Sequence, residues 1–297
     1  MAQVAFTAMG SPARIVADGV TRPDIDDARR LIEHLEQSWS RFRVDSSISR
    51  LNQHAGCLTL VDPDTFALVE RAQAARTMTA GGFNPLMLDQ LRRLGYHRSW
   101  HEGPPVASFE EVGPGSTEPI DLFPEIGAVR LPPATAFDPG GIGKGLAVDR
   151  AVDLLLDRGA RGVSVEIGGD LRVAGACWYA DRWRVDVAHP QHPTEIIAVV
   201  EIDEGAVATS STLRRCWMAG SQRRHHLLDP STGYPAQTDL VAVTTCSSQA
   251  WWAEVLAKTA LIAGRDQAAQ ILRAQATAGV MVDGRGEVRE LVEVGAA

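Results

Sequence analysis

The chain has 297 residues, of which 45% are apolar and 22% charged, with a net charge of −8. That length suits one large domain or two modest ones, and the composition is that of a soluble globular protein. The acidic balance argues against nucleic acid as a main partner, and no run nears the roughly 18 apolar residues of a membrane-spanning helix.

The four cysteines, Cys57, Cys177, Cys216 and Cys246, are dispersed and form no C-x-x-C pair. They read as buried thiols of a reducing compartment rather than a disulfide framework or zinc site. Residues 1–10 lack a basic region and a long apolar stretch, so the expected location is cytoplasmic.

In chain order, residues 3–17 read as two strands interrupted at Met9-Gly10-Ser11-Pro12. Pro23 to Trp39 has helical periodicity through Ala28, Leu31, Ile32 and Leu35, with Asp24 as the expected N-cap. Ser40 to Asn52 mixes hydroxyls, arginines and an aromatic, as in a loop opening a short helix. Asp62 to Thr79 is a second amphipathic helix, through Phe66, Val69, Ala72 and Ala75, ended by Gly81-Gly82. Leu86 to Leu94 reads as a short helix. Residues 101–119, rich in Gly, Pro, Ser and Glu, read as a mobile insertion.

Strands near 126–131 and 135–137 lead into Asp138-Pro-Gly-Gly-Ile-Gly-Lys-Gly-Leu-Ala-Val-Asp149. Gly140, Gly141, Gly143 and Gly145 allow close backbone approach, and the following helix can aim its N-terminus and Lys144 at a phosphate. A Walker A loop is excluded, because Asp138 replaces its first glycine and Gly145 its hydroxyl residue. A dinucleotide fingerprint is excluded by Leu146. On these residues alone, a plain glycine-rich helix entry and a ligand site both stay open.

Leu146 to Arg158 is a helix. Val163 to Ile167 is a strand ending in Gly168-Gly169-Asp170, and residues 171–174, 183–188 and 196–202 read as further strands. Ala206 to Thr212 reads as a hydroxyl-rich turn, and Arg223 to Pro235 as a strand breaking into a proline-bounded turn. Leu240 to Cys246 is an alternating strand, Ser248 to Ala263 a largely apolar helix, Gln267 to Ala276 a last helix, and 279–291 a hairpin. Helices followed by antiparallel-type strands imply an α+β layer architecture.

These pieces, in this order, resemble the ApbE-type FAD:protein FMN transferase family. The resembling pieces are Ala8-Met9-Gly10-Ser11, Ser40-Arg-Phe42 with Ser49-Arg-Leu-Asn52, Thr79-Ala-Gly-Gly-Phe-Asn-Pro85, and the glycine stretch. Ile167-Gly-Gly-Asp170, Ala208-Thr-Ser210, His226-Leu-Leu-Asp-Pro-Ser-Thr-Gly-Tyr-Pro235 and Ala253-Glu-Val-Leu-Ala-Lys258 complete the set. The resemblance implies an ApbE-like, T-fold-related α+β fold of mixed, largely antiparallel sheets with packed helices. It implies a single catalytic domain over 1–297, with room for two lobes.

It also implies an enzyme that splits FAD and passes FMN to a Thr or Ser hydroxyl of an acceptor flavoprotein, releasing AMP. By position, Met9, Phe42, Gly82, Phe83, Asn84, Asp138, Lys144 and His226 fall where the family contacts FAD, and Asp170 suits a turn or an adenosine contact. His226 is the expected general base; without the resemblance it reads as a histidine holding the Asp229-Pro230 turn. Gly141, Glu254 and Lys258 fall at the family's Mg²⁺ positions. Lys258 is a match of position only, since an ammonium donates and cannot ligate a metal.

Asn84, Glu254 and Lys258 stand where the family carries Asp, Asp and Thr. A sharper expectation is that the Lys258 ammonium replaces one cation charge; the plainer one is a Glu254–Lys258 pair at i,i+4. An FAD pyrophosphatase using water, and a non-catalytic flavin-binding protein, are the alternatives.

Overall fold

The computed structural model describes residues 1–103, 110–275 and 277–291. The chain runs β1 (Ala2–Ala8), β2 (Ser11–Asp18), α1 (Arg22–Trp39), α2 (Ser47–Gln53), β3 (Thr59–Leu60), α3 (Pro63–Met78), α4 (Leu88–Arg93), β4 (Asp121–Phe123) and β5 (Ala128–Arg130). It continues with α5 (Gly143–Asp157), β6 (Gly162–Ile167), β7 (Asp170–Gly175), β8 (Trp183–Ala188), β9 (Ile196–Ile202), β10 (Gly205–Ser211), β11 (Cys216–Ala219) and β12 (Gln222–His225). Last come β13 (Leu240–Ser247), α6 (Ala250–Ala263), α7 (Arg265–Ala274), β14 (Gly279–Asp283) and β15 (Val288–Leu291). The expected end of the last helix, Ala276, lies outside the described residues, as do 104–109 of the expected insertion.

Two compact units result. The first comprises 1–34, 144–213 and 238–297. Its eight-stranded sheet has the order β1-β2-β6-β7-β10-β13-β14-β15, antiparallel throughout. Helix α6 packs on β10 and β13, with α7 beside it. Ile15, Val165, Ile167, Val243, Val255 and Leu256 are fully buried in its core. The α1 helix starts one turn earlier than its expected cap: Asp24 lies inside the first turn and its Oδ2 accepts the Thr21 N–H at 2.9 Å, the return half of a capping box.

The expected turn at 206–212 is strand β10. Its hydroxyls are spent across the ladder, where Thr209 and Thr244 oxygens meet at 2.8 Å, so a polar run here marks strand pairing and not a turn.

The second unit comprises 35–143 and 214–237. It carries the three-stranded sheet β3-β5-β4, the hairpin β11–β12, and a core of Met87, Leu91, Leu94, Tyr96, Trp217 and Leu228. Ser46 and Asp62 cap α2 and α3 by accepting the N–H groups of Ser49 and Thr65. The expected strand at 135–137 is absent because a side chain takes the neighbour's place: Asn52 accepts the Phe137 N–H at 2.7 Å and donates to its carbonyl at 3.0 Å. Residues past the undescribed stretch are tied down, with Arg76 donating to the Ser116 and Glu118 carbonyls at 2.7 Å each.

The four cysteines are free, but they are not the buried thiols expected: Cys57 is exposed, on a turn, and the others are half-buried.

Candidate active site

In the first unit, the N-termini of α5 and α6 cap each other. Glu254, in the second turn of α6, accepts the Gly145 N–H of α5 on Oε2 at 2.9 Å. Asp149 of α5 returns the favour, with Oδ1 and Oδ2 accepting the Ala250 and Trp251 N–H groups at 2.9 Å each. Two sets of otherwise orphaned donors are satisfied by carboxylates from the opposite helix. The approach is close: a side chain at Gly145 would run into the Ala250 carbonyl, so only glycine fits.

Lys144 lies beside this crossing. Its ammonium donates to Asp170 and, at 2.7 Å, to Glu254 Oε1. Both acids are nearly fully buried, at 2% and 5% side-chain exposure, while Lys144 keeps 22%. Burial alone would lower the pKa of Lys144; the charges of Asp170 and Glu254 outweigh it and hold the ammonium above its ordinary value. Two of its three donors are thus committed. Burial pushes Asp149 up to about 6, against the α6 N–H groups and Arg172, which pull it down.

Asp170 opens β7 after the two-residue turn Gly168-Gly169, and Met9-Gly10 is the matching turn between β1 and β2. Met9 holds a left-handed φ of 50°, a conformation uncommon for a side-chain-bearing residue. Gly168 N–H donates to the Pro12 carbonyl, at the start of β2 just past the Met9-Gly10 turn, at 2.9 Å.

In the second unit, Asp138 is buried, with Arg41 Nε 3.3 Å from Oδ1. Phe42, 36% exposed, stacks on the Arg41 guanidinium. Gly82 and Phe83 close the turn after α3 through Thr79, and the Phe83 ring is fully buried. Asn84 uses both ends of its amide. Its Nδ2 donates to the Ser116 carbonyl at 3.0 Å, which a carboxylate could not do, while Oδ1 accepts the Leu86 N–H. Gly141 has a φ of 101°, before the start of α5.

His226 is half-buried after β12. The turn that follows is closed by Asp229: its N–H donates to Tyr234, its carbonyl accepts from Gly233, and Oδ1 accepts the Ser231 N–H.

The expected Mg²⁺ set does not fit as the chain is folded. Both Glu254 oxygens already accept from the protein, Lys258 is a donor, and among the described residues no cluster of three His, Cys, Asp or Glu side chains could hold an ion. Sequence reasoning missed Asp149 altogether. Its signal was the lack of a good cap at Gln249, which makes no side-chain cap bond in the structure.

An antiparallel sheet carrying two mutually capped helices and a lysine between two carboxylates defines an α+β protein with a charged centre at a helix N-terminus. The chain belongs to the ApbE family, whose sequence model matches residues 9–282. It is 28% identical over 268 residues to the FAD:protein FMN transferase of Treponema pallidum (strain Nichols), covering 84% of this chain and 74% of the relative. It is 27% identical over 288 residues to that of Vibrio cholerae serotype O1, covering 90% and 80%. The crystal structure of the ApbE protein of Thermotoga maritima superposes with a TM-score of 0.88 at 25% identity, covering 98% of this chain and 96% of that one.

No helix among the described residues is long and apolar enough to cross a membrane.

Proposed function

We propose that this chain is an FAD:protein FMN transferase. The observation that carries it is the match to that family over 9–282, joined to a Gly-Lys helix entry whose ammonium is held in place by two buried acids. In this reading an acceptor Thr or Ser oxygen attacks the FMN phosphorus of FAD. A new P–O bond forms, the bond to the AMP phosphate breaks, and AMP leaves. The hydroxyl proton passes to His226, a base suited to neutral pH. Lys144 offers its remaining donor to the pyrophosphate, and the α5 N-terminus adds partial positive charge. Met9, Phe42, Gly82, Phe83, Asn84, Asp138 and Asp170 complete the proposed FAD contacts.

The finer calls belong to this reading. Mg²⁺ at Gly141, Glu254 and Lys258 is supported by the one carboxylate and opposed by the ammonium, so no step is routed through it. A cytoplasmic location accords with four free thiols. The charge of −8 accords with a partner that is not nucleic acid. A single catalytic domain over 1–297 is proposed with it.

Incubation with FAD, Mg²⁺ and a candidate acceptor flavoprotein tests the reading. AMP with flavinylated acceptor is the expected result. AMP with free FMN would make it a pyrophosphatase, and no AMP would favour a flavin-binding protein, the reading that Lys258 at a ligand position favours.

A further inference from the structure

We propose that Arg41 is a positioning residue that sets Asp138 and Phe42 as one grip for a planar heterocycle bearing an N–H donor, an assignment that rests on the FAD reading above. Arg41 is 8% exposed. Its guanidinium carbon lies 4.6 Å from the Phe42 ring centroid and 4.5 Å from that of Tyr96, and the two centroids are 5.9 Å apart, so the cation packs against two neighbouring rings that touch each other. Nη1 donates to the Tyr96 carbonyl at 3.4 Å, which fixes the plane of the fork. Nε then stands 3.3 Å from Asp138 Oδ1.

That contact is one of charge and leaves a lone pair unused. Asp138 Oδ1 is buried and accepts no hydrogen bond among the described residues. A buried carboxylate oxygen in this state is costly, and a ligand donor is the usual remedy. The chain also keeps the neighbouring space clear: a side chain at Gly140 would lie 2.8 Å from Asp138 Oδ2. Phe42 meanwhile remains 36% exposed beside its arginine. A stacking ring and an open acceptor, joined by one guanidinium, match a flat ring system with an N–H at its edge. Within FAD both the adenine amino group and the isoalloxazine imide answer to that chemistry.

The test is binding of FAD, ADP and FMN to wild type, Arg41→Met, Asp138→Asn and the double variant, with thermal midpoints measured alongside. Arg41→Met is expected to weaken FAD binding about 10-fold or more. The double variant should bind no worse than the weaker single variant, because the two residues act as one unit. Whichever of ADP or FMN shares the loss names the ring that is gripped. Unchanged FAD affinity in a folded Arg41→Met, or losses that multiply in the double variant, would overturn the assignment. If Arg41→Met does not fold, Arg41→Lys carries the test. It keeps the charge without the planar stack and should lose about 3–10-fold, and unchanged affinity there overturns the assignment equally. Wild type that binds no FAD would remove the functional reading itself, and Arg41's role with it.

Discussion

Lys144 and Glu254, 110 positions apart, meet at 2.7 Å, and the next residue after the lysine donates its own N–H to the other Glu254 oxygen. One glutamate therefore fastens both the side chain and the backbone of the α5 entry. Replacing it should disturb helix position and charge together. The cation that neutralises Glu254 is thus Lys144 of the glycine stretch, so the expectation that Lys258 supplies the missing charge is no longer needed to account for a buried carboxylate on α6.

Removing that ammonium has a calculable sign. Lys144→Met leaves Asp170 and Glu254 as neighbouring buried carboxylates around one vanished charge. The expected loss of stability is below the roughly 3–5 kcal/mol of a fully buried pair, because 22% of the lysine side chain reaches solvent. FAD affinity should fall as well. Urea unfolding and FAD titration of the variant check both, and a change in neither would show the cluster to be inert.

His226→Asn should retain FAD binding and lose transfer by about 10²–10⁴-fold. The adjoining turn is closed by Asp229, and the thermal midpoint, measured alongside, separates loss of the base from loss of the fold. A variant that transfers FMN at the wild-type rate would return His226 to a structural role.

Asp149 gives a pH signature. Its folded pKa of about 6 lies above the ~3.9 of an unfolded aspartate. The native state then binds the proton more tightly. Its stabilising share is full below about 3.9 and is lost as pH rises through about 6. Between pH 8 and pH 5 wild type should gain about 1 kcal/mol relative to Asp149→Asn. The Asn variant should also be less stable at every pH by about 1–3 kcal/mol, since one amide oxygen cannot serve both the Ala250 and Trp251 N–H groups. Urea unfolding of both proteins across that range measures it; a flat difference would show that Asp149 does not titrate there.

The metal question is settled by a titration of Mg²⁺ with AMP release and calorimetric binding as readouts. Native protein should need unusually high Mg²⁺ for turnover. Lys258→Thr combined with Glu254→Asp should raise Mg²⁺ affinity by restoring oxygen donors. Ordinary low-concentration dependence in the native protein, unchanged by the double substitution, would place Lys258 outside any cation site.

Much of this site was legible because its chemistry is local in sequence. The glycine stretch, the buried run of α6 and the Asp229 turn each announce themselves within a dozen residues. What was hidden depends on contacts between distant segments. Nothing in residues 135–137 says that Asn52 will occupy their hydrogen bonds, and nothing in Ala206 to Thr212 says that Thr244 awaits Thr209. Asp149 reads as an ordinary helix residue until α6 arrives with bare N–H groups. Arg41 looked like loop charge until two rings and an acid closed around it.

The order of the eight-stranded sheet bears on how the chain reaches this state. Strand β2 pairs with β6, Ala13 opposite Ile167, with all of residues 35–143 interposed. Strand β10 pairs with β7 on one side and must wait for β13 on the other. The entropy of closing so long a loop rises only slowly, by about 0.6 kcal/mol per doubling, but pairings this remote in sequence make folding slow. Until β6 emerges, the β1–β2 hairpin offers a bare strand edge, so refolding at high concentration invites pairing between molecules and dilution favours the native sheet.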